Sequence, residues 1–173
     1  MNTIGSYQED SSAVGRLNAW QMAWNLACDR ITGGGFTIQN IVVFSRYAPN
    51  PEMSRAAHSI YFQVLGDTGF VGLFLFMSMI ATALVMTIRT QRRARKRPDL
   101  AWAVGLARAI QISIVVYLVC GAALSNVYFE LLYIVLAVTS RTHRTVVEMT
   151  AAQNVPARAA PQGRLVPAYG RAV

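Results

Sequence analysis

HSIYFQVLGDTGFVG, from His58 to Gly72, is the stretch in which a polar chain becomes a hydrophobic one. Phe70 to Ile88 then run for nineteen residues without a charge, enough for a helix to cross the ~30 Å hydrocarbon core of a bilayer. Ahead of the stretch the chain is made for water or a membrane surface. His58 lies at this boundary beside Tyr61, Phe62 and Leu65, where an imidazole serves either as a reacting group or as an anchor.

Composition points the same way. The 173 residues are 54% hydrophobic with mean hydropathy +0.34, and their charged share of 14% is below the ~25% usual in soluble domains. The expected fold class is an all-α integral membrane protein, with amphipathic helices of a periplasmic loop followed by about three transmembrane helices. A net charge of +8 raises the question of nucleic acid, but six basic residues fall between Arg89 and Arg97, directly after an apolar span. That is the positive-inside pattern of a cytoplasmic loop. No aromatic residue interrupts the block, so no base-stacking platform is indicated and no nucleic-acid partner is expected.

Outward from the boundary, residues 1–69 form the periplasmic segment, 70–88 a span, 89–101 a basic cytoplasmic loop and 102–124 a second span. Residues 125–140 make a short span or re-entrant helix, and 141–173 a disordered basic cytoplasmic tail. Met1 to Gln8 lack the positive charge and apolar core of a signal peptide, so export of residues 1–69 predicts earlier spans ahead of Met1. Within the periplasmic segment a helix is expected from Ser12 to about Arg30, with Ala13, Leu17, Trp20, Trp24 and Ala27 as its apolar stripe and Arg16 at the edge. Gly33 to Gly35 stop it. Phe36 to Pro51 read as an irregular loop with some extended structure. A second helix from Glu52 or Ser54 would put Arg55, His58, Phe62 and Leu65 on one face.

Arg16 either meets an anion, for which a guanidinium fork suits phosphate oxygens, or packs on Trp20 or in a salt bridge. Arg46 and Arg55 either add positive charge to such a site or are solvated. Tyr47 and Tyr61 face a sugar ring or anchor at the interface. Gly34 and Gly35 present backbone donors to an anion or merely end the helix. Cys28 and Cys120 have no zinc spacing and read as packing residues, and no DxD pair, nucleophile elbow or P-loop occurs. No metal or cofactor is expected.

Four ordered blocks, DSSAVGRLNAW (Asp10–Trp20), GGGF (Gly33–Phe36), RYAPNP (Arg46–Pro51) and AHSIYFQVLGDTGFVGL (Ala57–Leu73), resemble the O-antigen ligase and polymerase family of bacterial membrane glycosyltransferases. They are most similar to the O-glycosylation ligases associated with exosortase A systems, although Ser59 stands where the wider family often has asparagine. The resemblance implies a polyprenyl-diphosphate-linked glycan donor and an acceptor hydroxyl on a glycan, lipid or protein. It also implies transfer with inversion and without a metal, at the periplasmic face of the inner membrane. By the same resemblance Arg16 contacts the donor diphosphate and His58 activates or positions the acceptor. A polymerase of the family would differ only in its acceptor. The reading from another class is a non-catalytic membrane scaffold, accessory protein or truncated remnant that holds anionic lipid through its basic block.

Overall fold

The computed structural model describes residues 3–153, and all of its regular structure is helical. The helices are α1 (Thr3–Asp29), α2 (Ile41–Tyr47), α3 (Ile60–Ala94), α4 (Ala101–Gly121) and α5 (Glu130–Gln153), with a 3-10 turn at Pro98–Leu100. The α3, α4 and α5 helices pack into a bundle around Ile60, Val64, Phe76, Ile80, Ile110 and Ile114. Across one end of it lies a second layer, in which α1 and α2 bury Met22, Leu26, Ile38 and Phe44.

Two helices, α3 and the turn-plus-α4 unit Pro98–Gly121, are long and apolar enough to cross a membrane. Their outward residues support that role: Phe74, Leu75, Ile112, Val115 and Val119 are exposed large hydrophobics, which water would penalise and acyl chains would not. Inward faces carry small residues, with Ala103 and Ala107 buried on α4 and Ala83 on α3, so the backbones approach closely. The third apolar run does not stand alone as a span. It begins α5, which continues through Arg141 and Arg144 to Gln153, so residues 141–153 are helix where the sequence reads as tail. Val146 is fully buried with Ala94, Leu100 and Ala103, and this packing extends the helix. The rest of the expected tail, 154–173, lies outside the described residues.

Polar contacts register the bundle. Gln91 Nε2 donates to Gln111 Oε1 at 2.7 Å between α3 and α4, and Thr90 Oγ1 lies 2.9 Å from His143 Nδ1 between α3 and α5. Burial, with Arg93 and Arg89 nearby, holds the His143 imidazole below its ordinary pKa. The folded state therefore favours neutral His143. Its contribution is present above the unfolded pKa and is lost as pH falls through the folded one. Cys28 and Cys120 are both exposed rather than packed.

At Gly69 α3 breaks. Its φ of 67° and ψ of −165° lie in a region that only glycine adopts readily. The glycine loop after α1 closes the break. Gly34 N–H donates to Gly66 O and Gly35 N–H to Asp67 O, both at 2.9 Å, supplying donors to carbonyls at the interrupted turn. A Cβ on Gly33 would sit 2.7 Å from Asp67 O, and one on Gly69 would overlap the Ile31 carbonyl.

Two outcomes are expected in detergent-solubilised protein followed by circular dichroism. Gly69→Ala costs about 1–3 kcal/mol through backbone strain and the clash with Ile31, whereas Gly105→Ala, where a Cβ meets nothing within 4 Å, is neutral or mildly stabilising. Lowering the pH from neutral to acidic depresses the thermal midpoint of the wild type more than that of His143→Gln.

Candidate functional site

The buried face of α1 differs from the stripe expected of it. Leu17 and Trp24 are 58% and 52% exposed, whereas Asn18 is buried with Ala19, Met22, Ala23 and Leu26. Asn18 is tolerated inside because its amide is fully used. Nδ2 donates to Asn50 O at 2.9 Å and Met53 O at 3.1 Å, and Oδ1 accepts from Asn50 N–H at 2.9 Å. Two residues on, Trp20 donates Nε1–H to Ala57 O at 2.6 Å and stacks on Phe62 with ring centroids 4.8 Å apart. These bonds fasten residues 50–57 along α1.

This fastening explains why the second expected helix is absent. Residues 53–59 are not helical, and α3 starts only at Ile60, so Arg55, His58, Phe62 and Leu65 do not share one helical face. His58 is exposed with φ 45°, the one non-glycine residue of positive φ among those described. An L-residue held there stores of the order of 1–2 kcal/mol of strain. Phe36 to Pro51, expected as loop with extended parts, contains α2, capped by the Asn40 side chain accepting from Val43 N–H.

The structure brings Arg55 against α1 at Gly15, the residue before Arg16. Gly15 is buried, and a Cβ there would sit 2.8 Å from Arg55 Cδ, so the missing side chain lets Arg55 lie across α1 at that position. The Arg16 Nε is buried without a hydrogen-bond partner, and Arg16 enters no ion pair among the described residues. Trp20 stacks on Phe62, and the one cation–π contact among those residues joins Arg46 and Tyr47, so the packing role weighed for Arg16 is not the one observed. Arg55 also lines an open polar cleft of about 350 Å³ with Asn50, Glu52 and Ser54. On the neighbouring side of α1, Leu17, Trp20, Trp24 and Phe62 line an open groove of about 480 Å³. Trp24 meets Phe70 of α3 edge to face at 5.4 Å.

Other expected site residues are used elsewhere. Arg46 pairs with Asp29 at 3.9 Å, and Asp29 lies thirteen residues beyond Arg16 on α1, which is about 20 Å along a helix. The Tyr47 hydroxyl donates to the same carboxylate, which pushes its pKa up. Tyr61 is half-buried and donates to Leu118 O at 2.9 Å, joining α3 to α4 rather than facing a ligand. Gly34 and Gly35 donate their amides to carbonyls of α3. Asp67, which has no partner in sequence terms, is 5% exposed and accepts from Tyr128 Oη–H at 2.7 Å, while Phe36 abuts the Tyr128 ring. Sequence reading also missed Gly15 and the buried role of Asn18. A glycine inside a helix marks close approach, and it was the available signal for the first.

The fold is that of an all-helical membrane protein whose α1 layer carries Arg16 and an aromatic groove. Residues 1–77, which contain both, match the O-antigen ligase family. No curated protein and no solved structure matches this chain.

The clamp at Asn18 is testable. Asn18→Ala leaves two carbonyls and an amide without their partner at a cost of about 1–3 kcal/mol. Amide hydrogen exchange should rise across residues 50–57 and stay unchanged in the α4–α5 half of the bundle.

Proposed function

We propose that this chain works in an O-antigen-ligase-like glycosyltransferase of the bacterial inner membrane, with residues 1–69 periplasmic and the C-terminal end cytoplasmic. Its α1 layer receives the polyprenyl-diphosphate-linked glycan, in a site of the type found in exosortase-associated ligases. One observation carries this reading. Within the family-matched residues, Arg16, whose Nε is buried without a hydrogen-bond partner among the described residues, lies on α1 one residue before the groove of Leu17, Trp20, Trp24 and Phe62, and Arg55 packs over the neighbouring Gly15. The donor has the same two-part chemistry, a doubly charged diphosphate on a long apolar chain. The Trp24–Phe70 contact extends the groove to the start of the span, where such a chain enters lipid.

In this reading the acceptor hydroxyl oxygen attacks the anomeric carbon from the face opposite the diphosphate. The new C–O bond forms as the old one breaks, and its electron pair leaves on the diphosphate. Arg16 and Arg55 meet the charge that develops there. The proton lost by the acceptor passes to the His58 imidazole, which is exposed. No metal is assigned a role, since fixed guanidinium groups meet the same charge. The acceptor is a glycan, lipid or protein hydroxyl, and the nature of that hydroxyl separates ligase from polymerase.

Glycan attachment in cells carrying chromosomal variants tests the assignment. Arg16→Ala and His58→Ala should each lower transfer by about 100-fold or more, with membrane insertion intact. Arg46→Ala, which removes one of the two partners of Asp29 and leaves Tyr47, should retain near-normal transfer. Undiminished attachment in both of the first two variants would sink the proposal.

A further inference from the structure

The far end of the bundle carries a separate cluster of charge. An open groove of about 350 Å³ runs between the end of α3 and the start of α4, lined by Arg95, Lys96, Arg97 and Arg108 over a base that includes Ala101 and Val104. Ala101, Val104 and Arg108 are spaced i, i+3 and i+7, so they share one face of α4. Of the four cations only Arg97 is neutralised. Its guanidinium pairs with Asp99 and donates to Met149 O at 3.0 Å. Arg95, Lys96 and Arg108 enter no ion pair among the described residues, and no carboxylate lines the groove.

Arg108 is the unusual member. It stands seven residues into α4, about 10 Å along the helix, inside a segment apolar enough to cross a membrane. A guanidinium at that depth is costly unless an anion meets it, and its convergence with Arg95 and Lys96 adds repulsion. The groove contains no such anion of its own.

We infer that this groove is a binding site for the phosphate headgroup of an anionic membrane lipid. The phosphate diester is held by Arg108 and by Arg95 or Lys96, and the acyl chains lie along the apolar outer face of α4. A guanidinium offers a phosphate two parallel hydrogen bonds, and the lysine adds a point charge. The apolar base and the position at the ends of two spanning helices favour a lipid over a free phosphate ion. Ile112 and Val115, both exposed, continue the outer surface of α4 beyond Arg108. The inference depends on α3 and α4 crossing a membrane and not on the glycosyltransferase reading.

Native mass spectrometry of the full chain in mild detergent, titrated with dioleoyl phosphatidylglycerol and dioleoyl phosphatidylcholine, tests it. The wild type should retain phosphatidylglycerol in preference to phosphatidylcholine. Arg108→Gln should cut that retention at least about fivefold, while Arg92→Gln, in the same basic run but outside the groove, should change it less than about twofold. Arg108→Lys should restore part of the loss. If Arg108→Gln loses helicity by circular dichroism, Lys96→Gln carries the same expectation. Equal losses in Arg108→Gln and Arg92→Gln would show a diffuse charge effect and overturn the site. Equal retention of the two lipids, or displacement of phosphatidylglycerol by millimolar inorganic phosphate, would overturn the lipid assignment.

Discussion

The arrangement rests on two backbone hydrogen bonds, from Gly34 and Gly35 to the carbonyls of Gly66 and Asp67. A helix that breaks at the edge of a membrane leaves carbonyls without donors where water is scarce, and each is expensive there. The glycine loop supplies donors and fits because Gly33 and Gly69 leave room for one backbone against another. The same contact ties the end of α1 to the start of the spanning helix. Asp67 adds a third partner by accepting from Tyr128, so the loop between α4 and α5 joins the same junction.

From that junction the rest of the α1 layer follows. With α1 fixed at its end, Asn18 and Trp20 hold residues 50–57 by their backbone, and Gly15 makes space for Arg55. The chain then has to turn sharply at His58 to enter α3, which accounts for its left-handed backbone. Arg16 and His58 therefore owe their settings to neighbours that have no chemistry of their own. The lower half of the bundle follows a different logic, with small residues and a few polar pairs setting helix spacing and a knot of arginines marking its end.

Much of the architecture was legible from hydropathy. Phe70 to Ile88 carry no charge, and the segment from Trp102 is similarly apolar, so spanning helices follow from the cost of burying charge in lipid. The α1 helix was legible too, but its inward face was not. A count of apolar positions places Leu17 and Trp24 inside and Asn18 outside, because it cannot register that Asn18 finds three backbone partners more than thirty residues away. For the same reason residues 52–59 read as helix although their backbone is committed to α1. The glycine run announced a helix end but not the partner it touches. The length of α5 was hidden because Val146 is held by tertiary packing against Ala94 and Ala103. At the site, Arg16 and His58 were visible as residues; that Arg55 lies across Gly15, Arg46 pairs with Asp29, Tyr61 bonds Leu118 and the amides of Gly34 and Gly35 bond α3 was not.

The sealed break at Gly69 has a mechanical consequence. Because α1 is bonded to α3 at that point, rather than hung from it by slack chain, the two tilt together. A spanning helix adjusts its inclination to the thickness of the surrounding hydrocarbon. That adjustment would swing α1 and its aromatic groove by a corresponding angle, so the height of the groove over the lipid surface would be set by bilayer thickness as by a ruler.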